Sequence, residues 1–275
     1  MKRMVKAQST SDGAGVKLKR VFGHHELPDF DPFLLFDHFG SKEAKDYMAG
    51  FPWHPHRGIE TVTYMLKGSV EHGDSMGNEG VIFEGDVQWM TAGGGVIHQE
   101  MPQESPGGME GFQLWVNLPE KQKMMKPRYR EIKAKEIPEV YLKSGIKVKV
   151  IAGKFMDTTG PVQELVVPCD YFDISLQAGS IFRHGIKEDK KVVVYVYRGN
   201  IFLPEDETEV GPGNAVILDE GNEVEIAGKS DASFLLFAGK PLNEPIHWGG
   251  PIVMSSKEDL NKAFEDYNKG TFIQK

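Results

Sequence analysis

The sequence has almost no cysteine. Cys169 is the only one in 275 residues, so an intrachain disulfide cannot form and the fold must hold by packing, as suits a reducing compartment. Its plain role is that of a small buried hydrophobe. Long apolar runs are missing too. No window approaches the length of a membrane span, and the N-terminal MKRMVKAQSTSDGAG carries a leader's charges without the apolar stretch that would follow them. A positive balance is also lacking. The net charge is −8, the opposite of the footprint of a surface that grips phosphate backbones, so direct nucleic-acid binding is not expected. The locally basic KQKMMKPRYR (121–130) reads as a solvated connector. These absences describe a cytoplasmic protein, or a nuclear one if the source is eukaryotic, with no membrane partner, and a monomer is expected.

What the sequence does have is glycine, proline and short apolar runs. Thirty-one glycines and sixteen prolines punctuate TVTYMLKG, GVIFEG, GFQLWVNL, IKVKVIAG, KKVVVYVYRG, AVILDEG and SFLLFAG. Alternating apolar residues bounded by turn residues at this spacing predict an all-β sandwich or barrel. Setting Tyr64, Lys67 and Gly68 on Tyr195, Arg198 and Gly199 exposes a weak repeat, so the chain reads as duplicated. The proline-containing basic segment then separates an N-terminal domain, 1–132, from a C-terminal copy, 133–275. Only SSKEDLNKAFEDYNKG is persuasively helical. Ser255 and Glu258 form a capping-box pattern, Leu260, Ala263, Phe264 and Tyr267 share a face, and Gly270 is the stop. SKEAKDYMAG (41–50) suggests a helical turn.

Chemistry concentrates in two stretches. In FPWHPHRGIE (51–60), strand alternation puts His54, His56 and Glu60 on one face with Val62 and Tyr64, and turns Arg57, Thr61 and Thr63 the other way. In GDVQWMTAGGGVIHQEMP (85–102), His98 and Glu100 are again two apart, after three glycines that permit a tight turn or close approach. A lone HxH is common on surfaces. Two such groups some forty residues apart are a different matter, because buried imidazoles and carboxylates need partners and a metal ion satisfies all of them. Three imidazoles with a carboxylate suit one divalent first-row transition metal rather than calcium or magnesium. His24, His25, His38, His72 and His247 show no paired spacing and read as surface or ordinary core residues. Gln113, Trp115 and Asn117 share a strand face that could line a pocket for a planar ligand, although Phe112, Leu114 and Val116 equally define a core face.

HxHxxxE before a glycine, and the glycine-rich run ending in His98, resemble the two cupin motifs, with Thr91 where the second motif usually has proline. More closely, DPFLLFDHFG, FPWHPHRGIETVTYMLKG, GDVQWMTAGGGVIHQEMP, GFQLWVNLP and PRYREI together resemble the pirin family, densely over residues 20 to 132 and loosely beyond. That resemblance implies a bicupin, two β-barrels facing each other with metal only in the first. It also implies iron ligands at His54, His56, His98 and Glu100, which leaves Glu60 as a distant fifth ligand or a supporting residue. The tyrosine offset agrees with one metal. It places Gly185 and Lys187 where the first copy has His54 and His56, puts Lys191 opposite Glu60, and leaves His184 one residue out of register.

The family's activity, carried over, is that of a quercetin 2,3-dioxygenase, opening a flavonol ring with O2 and releasing carbon monoxide. The substrate would be a small aromatic, the metal Fe(II) with nickel, copper or manganese as alternatives, and Glu100 the general base with Glu60 its substitute. Another enolizable compound could be the true substrate. The competing implication is a non-enzymatic, iron-binding, redox-sensitive transcriptional co-regulator that acts through a protein partner.

Overall fold

The computed structural model describes residues 3–143, 145–218 and 221–273. Asp219 and Glu220, inside the expected AVILDEG stretch, lie outside the described residues. β-branched and aromatic runs extend as antiparallel strands throughout, and the glycines between them take the positive φ that tight turns require, Gly68 and Gly199 after the two tyrosine strands among them.

The chain divides into two compact units. One comprises Gln8–Ala134 and Leu242–Lys275; the other comprises Met1–Ala7 and Lys135–Pro241. The first crosses the expected boundary at the C-terminus: residues 242–273, with the helix, pack with the N-terminal barrel. The N-terminal strand Arg3–Lys6 goes the other way, pairing with Asn214–Leu218. Sequence distance does not penalise such pairing once a sheet edge is open, since any exposed edge offers unpaired backbone groups.

In the first unit a seven-stranded sheet runs in the order Arg128–Ile132, Val87–Thr91, Ile59–Lys67, Met109–Asn117, Phe33–Ser41, Val16–Phe22 and Gln8–Asp12. A four-stranded sheet runs Phe51–His56, Val96–Gln103, Ser69–Asp74 and Glu79–Ile82. Their inner faces meet in a core that joins Leu18, Phe39 and Met65 of the large sheet to Val70 and Ile82 of the small one. A hairpin, His247–Gly249 with Ile252–Met254, and the helix Lys257–Asn268 complete the unit.

The second unit repeats this order strand for strand. Its large sheet runs Arg3–Lys6, Asn214–Leu218, Lys191–Arg198, Ala232–Gly239, Cys169–Leu176, Ile146–Ala152 and Glu139–Leu142. Its small sheet runs Ile181–Gly185, Glu223–Gly228, Ile201–Leu203 and Thr208–Val210. The tyrosine offset fails at one strand, however. Residues 57–58 connect two strands in the first unit, whereas 186–190 connect their counterparts, three residues more. Pairing register sets Phe182 opposite Ile226 and His184 opposite Val224. His184 consequently points inward, among the rings of Phe155, Phe172 and Phe182, and not to the outer face.

The helix begins one residue later than expected. Ser256, not Ser255, is the cap, accepting from the Asp259 amide at 3.0 Å. Of the four residues expected on its buried face, only Ala263 is fully covered, and Phe264 and Tyr267 are exposed. The expected turn near residue 45 is a short 3₁₀ segment, Ala44–Asp46.

Candidate metal centre

His54 and His56 lie on the strand Phe51–His56, and His98 lies on its neighbour Val96–Gln103, directly opposite His54. Alternation keeps all three on the inner face, and their ligand atoms all lie within 4.8 Å of one another. The ring centroids of His54 and His98 are 4.3 Å apart, and those of His56 and His98 5.0 Å.

Hydrogen bonding fixes which nitrogen each ring offers. His54 Nδ1 is 2.9 Å from the Pro52 carbonyl, and His56 Nδ1 is 3.1 Å from the Pro251 carbonyl. A carbonyl only accepts, so both Nδ1 atoms carry the proton and both Nε2 atoms present lone pairs. Those two lone pairs face each other at 3.1 Å. Two unprotonated nitrogens that close repel in isolation, but about 3 Å is the separation of neighbouring donors on one ion with metal–nitrogen bonds of about 2.1 Å. His98 is fully buried, and both of its nitrogens lack a protein partner among the described residues. Burying such groups unpaired costs roughly 1–3 kcal/mol each, which a metal ion would offset. The donor set therefore fits a transition metal. Burial, with His54 beside it, pushes His56 down to about 3, the Pro251 carbonyl opposing. Burial, then His56, His54 and His72, holds His98 well below the usual histidine range. Both rings are thus neutral near pH 7, the form that ligates.

Glu100 sits on the same strand as His98, after an irregularity in the pairing, and the three-histidine group within 4.8 Å does not contain it. It is nearly buried, faces the cavity beside the histidines, and accepts from Thr63 Oγ1 at 3.0 Å. The same hydroxyl lies 2.6 Å from the Gln113 side chain. Both partners are oxygens that accept, Gln113 through Oε1, so the single Thr63 proton serves one of them at a time.

Glu60 is not at the site. Strand alternation does not carry across Arg57 and Gly58, because the chain there leaves the small sheet for the large one. Glu60 falls on the outer face of the large sheet, where it accepts from Thr91 at 2.6 Å and Arg130 at 3.3 Å. Thr63, expected on the other face, is the inward residue. Gln113 and Trp115 line the cavity as the planar-ligand reading anticipated. Asn117 instead accepts from Lys123 Nζ at 2.7 Å. Lys123 belongs to the basic run expected to be solvated, yet it is buried, and it donates also to the carbonyls of Gly58 and Val253. Three acceptors match the three protons of an ammonium, against burial that pushes its pKa down to about 7.

The cavity above the histidines has a volume of about 680 Å³, ample for a small aromatic ligand. Trp115 stands edge-on to His56 at 5.1 Å, and Trp248 lies 5.7 Å from Trp115 and 5.4 Å from His24. Trp248 and Pro251 had no spacing signal at all, since tertiary packing alone brings them to the site. His72 did carry one: it is two residues from Asp74, which it contacts at 3.2 Å, and its ring lies between His98 and Tyr129 at 5.5 and 4.7 Å.

Residues 15–116 match the family described as Pirin, and 171–273 match the Pirin C-terminal cupin domain. A pirin-like protein of Caulobacter vibrioides is 46% identical over 98% of both chains. The chain belongs to the pirin family. Its two duplicated barrels are the cupin barrels of a pirin, one of them holding the histidine cluster. Among relatives, a Pseudomonas aeruginosa protein named "Putative quercetin 2,3-dioxygenase" is 44% identical, over 94% of this chain and 93% of that one. A solved structure of quercetin 2,3-dioxygenase from Acinetobacter baumannii superposes with a TM-score of 0.90 at 36% identity, covering 98% of this pirin and 96% of that chain. Among the described residues no helix is long and apolar enough to cross a membrane.

Proposed function

We propose that this pirin is a metal-dependent dioxygenase that opens the ring of a flavonol such as quercetin with both atoms of O2 and releases carbon monoxide. One observation carries the reading: three imidazoles, two with their proton committed to carbonyls and one with no partner, converge at the floor of an aromatic-walled cavity. His54, His56 and His98 hold the ion, and Glu100 is its fourth ligand. A divalent transition metal, iron first and nickel, copper or manganese within the tolerance of these donors, supplies Lewis acidity and open positions for substrate and oxygen.

The protein's own residues do the rest. Glu100 takes the proton of the substrate hydroxyl, and the Thr63 hydroxyl holds its carboxylate in place. Trp115 and Trp248 give a flat ligand apolar walls, and Gln113 gives it a polar edge. Burial of the floor excludes water from the deprotonated substrate. The lone buried Cys169 suits work in the cytoplasm, where thiols stay reduced.

The test is to load the metal-free protein with ferrous ion in air and add quercetin. Flavonol absorbance decays and carbon monoxide is released, and His98→Ala does neither. If quercetin survives with iron, nickel, copper and manganese alike, the dioxygenase reading fails. A metal-loaded protein that leaves quercetin intact but retains a protein partner only in its metal form supports the co-regulator instead.

A further inference from the structure

The C-terminal segment touches both stretches that carry the histidines. At the first, the Pro251 carbonyl takes the His56 Nδ1 proton, and the Val253 amide donates to the carbonyl of Arg57, the next residue, at 3.0 Å. The buried Arg57 side chain reaches Asp266 of the helix at 2.9 Å and the Phe272 carbonyl at 2.8 Å, and its guanidinium lies 4.2 Å over the Phe272 ring. At the second, Ile97 packs against the cluster of Ile252, Met254, Ala263 and Phe272. Gly95, three residues before His98, approaches Phe272 so closely that a Cβ there would stand 2.8 Å from its carbonyl oxygen. This arrangement joins the C-terminal segment to the strand ends on both sides of the histidines. It fixes the tautomer of one imidazole and the strand ends that aim all three.

We propose that docking of residues 251–272 and metal binding by His54, His56 and His98 are one coupled equilibrium, with Arg57 and Asp266 as the positioning residues that join them. The inference rests on the three histidines being a metal site, and is independent of the reaction run there. If the docked segment pre-aims the imidazoles, undocking it weakens the metal, and linkage requires that the metal tighten the docking by the same factor. Asp266 is the point of leverage, because removing one partner of a buried guanidinium leaves the other uncompensated.

Nickel(II), which does not change oxidation state in air, serves as the probe, titrated by calorimetry into the full-length metal-free protein. Asp266→Asn weakens nickel about tenfold, as residues that orient ligands from behind commonly do, and Asp266→Glu restores it. Lys262→Met is the control. Lys262 reaches the same carboxylate at 3.0 Å from an exposed position, so its loss leaves nickel affinity unchanged. In the wild type, nickel slows amide exchange across Lys257–Asn268, a readout that a merely structural Arg57–Asp266 pair does not move. Nickel binding by Asp266→Asn equal to wild type overturns the proposal, as does helix exchange identical with and without nickel; the second measurement decides if the variant does not fold. A wild type that takes up no nickel, iron, copper or manganese overturns the metal site itself, and with it the dioxygenase.

Discussion

The two barrels share strand order, yet one gathers polar groups where the other gathers apolar ones. On the corresponding strands of the second barrel the inward residues are Phe182, His184, Val224 and Ile226, where the first barrel turns His54, His56, His98 and Glu100 inward. Phe182 and Ile226 join a continuous apolar core with Phe172, Val224 and Phe234. His184 is a lone imidazole among phenylalanines, its pKa lowered by burial. The comparison teaches that the barrel itself does not make a metal site. Three inward imidazoles could, and their default alternative is an ordinary hydrophobic core.

Exchanging the character of the two barrels is the strongest way to break that comparison. His98→Ile gives the first barrel the apolar character of the second. Nickel binding should fall below detection by calorimetry, while the metal-free protein gains about 2–6 kcal/mol in a chelator-containing melt, because two unpaired buried nitrogens are gone. If the variant is no more stable than metal-free wild type, the histidine is better satisfied than its surroundings indicate. The converse is Phe182→Ala, which should destabilise the protein by about 3–5 kcal/mol in urea without changing nickel affinity. A loss of metal there would mean the second barrel is more than a packed core.

Acid should separate the barrels next. The folded-state pKa of His56 lies at about 3, below the unfolded value near 6.5, so the unfolded chain binds the proton first. The stability it contributes is fully present above about 6.5 and is lost as pH falls toward 3. Chelator-treated wild type should lose stability over that window, and His56→Phe should flatten the loss when urea midpoints are followed against pH. The smallest effect is expected from Thr63→Val, which keeps the shape and removes the hydrogen bond to Glu100. About a tenfold loss of nickel affinity is expected, with the fold unchanged by circular dichroism. Unaltered affinity would argue that Glu100 is not held for the metal.

Much of this was readable in the chain. Alternating runs and glycine punctuation announced the strands, and residues two apart on a strand must share a face, so His54 with His56 needed no tertiary information. Reading failed where the chain changes sheets. Glu60 looked in phase with the histidines, but Arg57 and Gly58 carry the strand from one sheet to the other and reset which side is inward. The repeat failed similarly at His184, because a loop three residues longer cannot be seen from conserved tyrosine spacing. Lys123 looked solvated because sequence shows its charge and not the three acceptors that wait for it.

The sequence by itself determined the strands, the duplication and the inward-facing histidine pairs, because side-chain alternation is a local property of extended backbone. Only tertiary structure decided that His54 and His98 stand opposite each other, that Glu60 is shut out, and that Pro251, Trp248 and Asp266 belong to the site. The contact of Arg57 with Asp266 joins residues 209 positions apart, and nothing local in a chain specifies which distant carbonyl will meet a given imidazole until the core has packed.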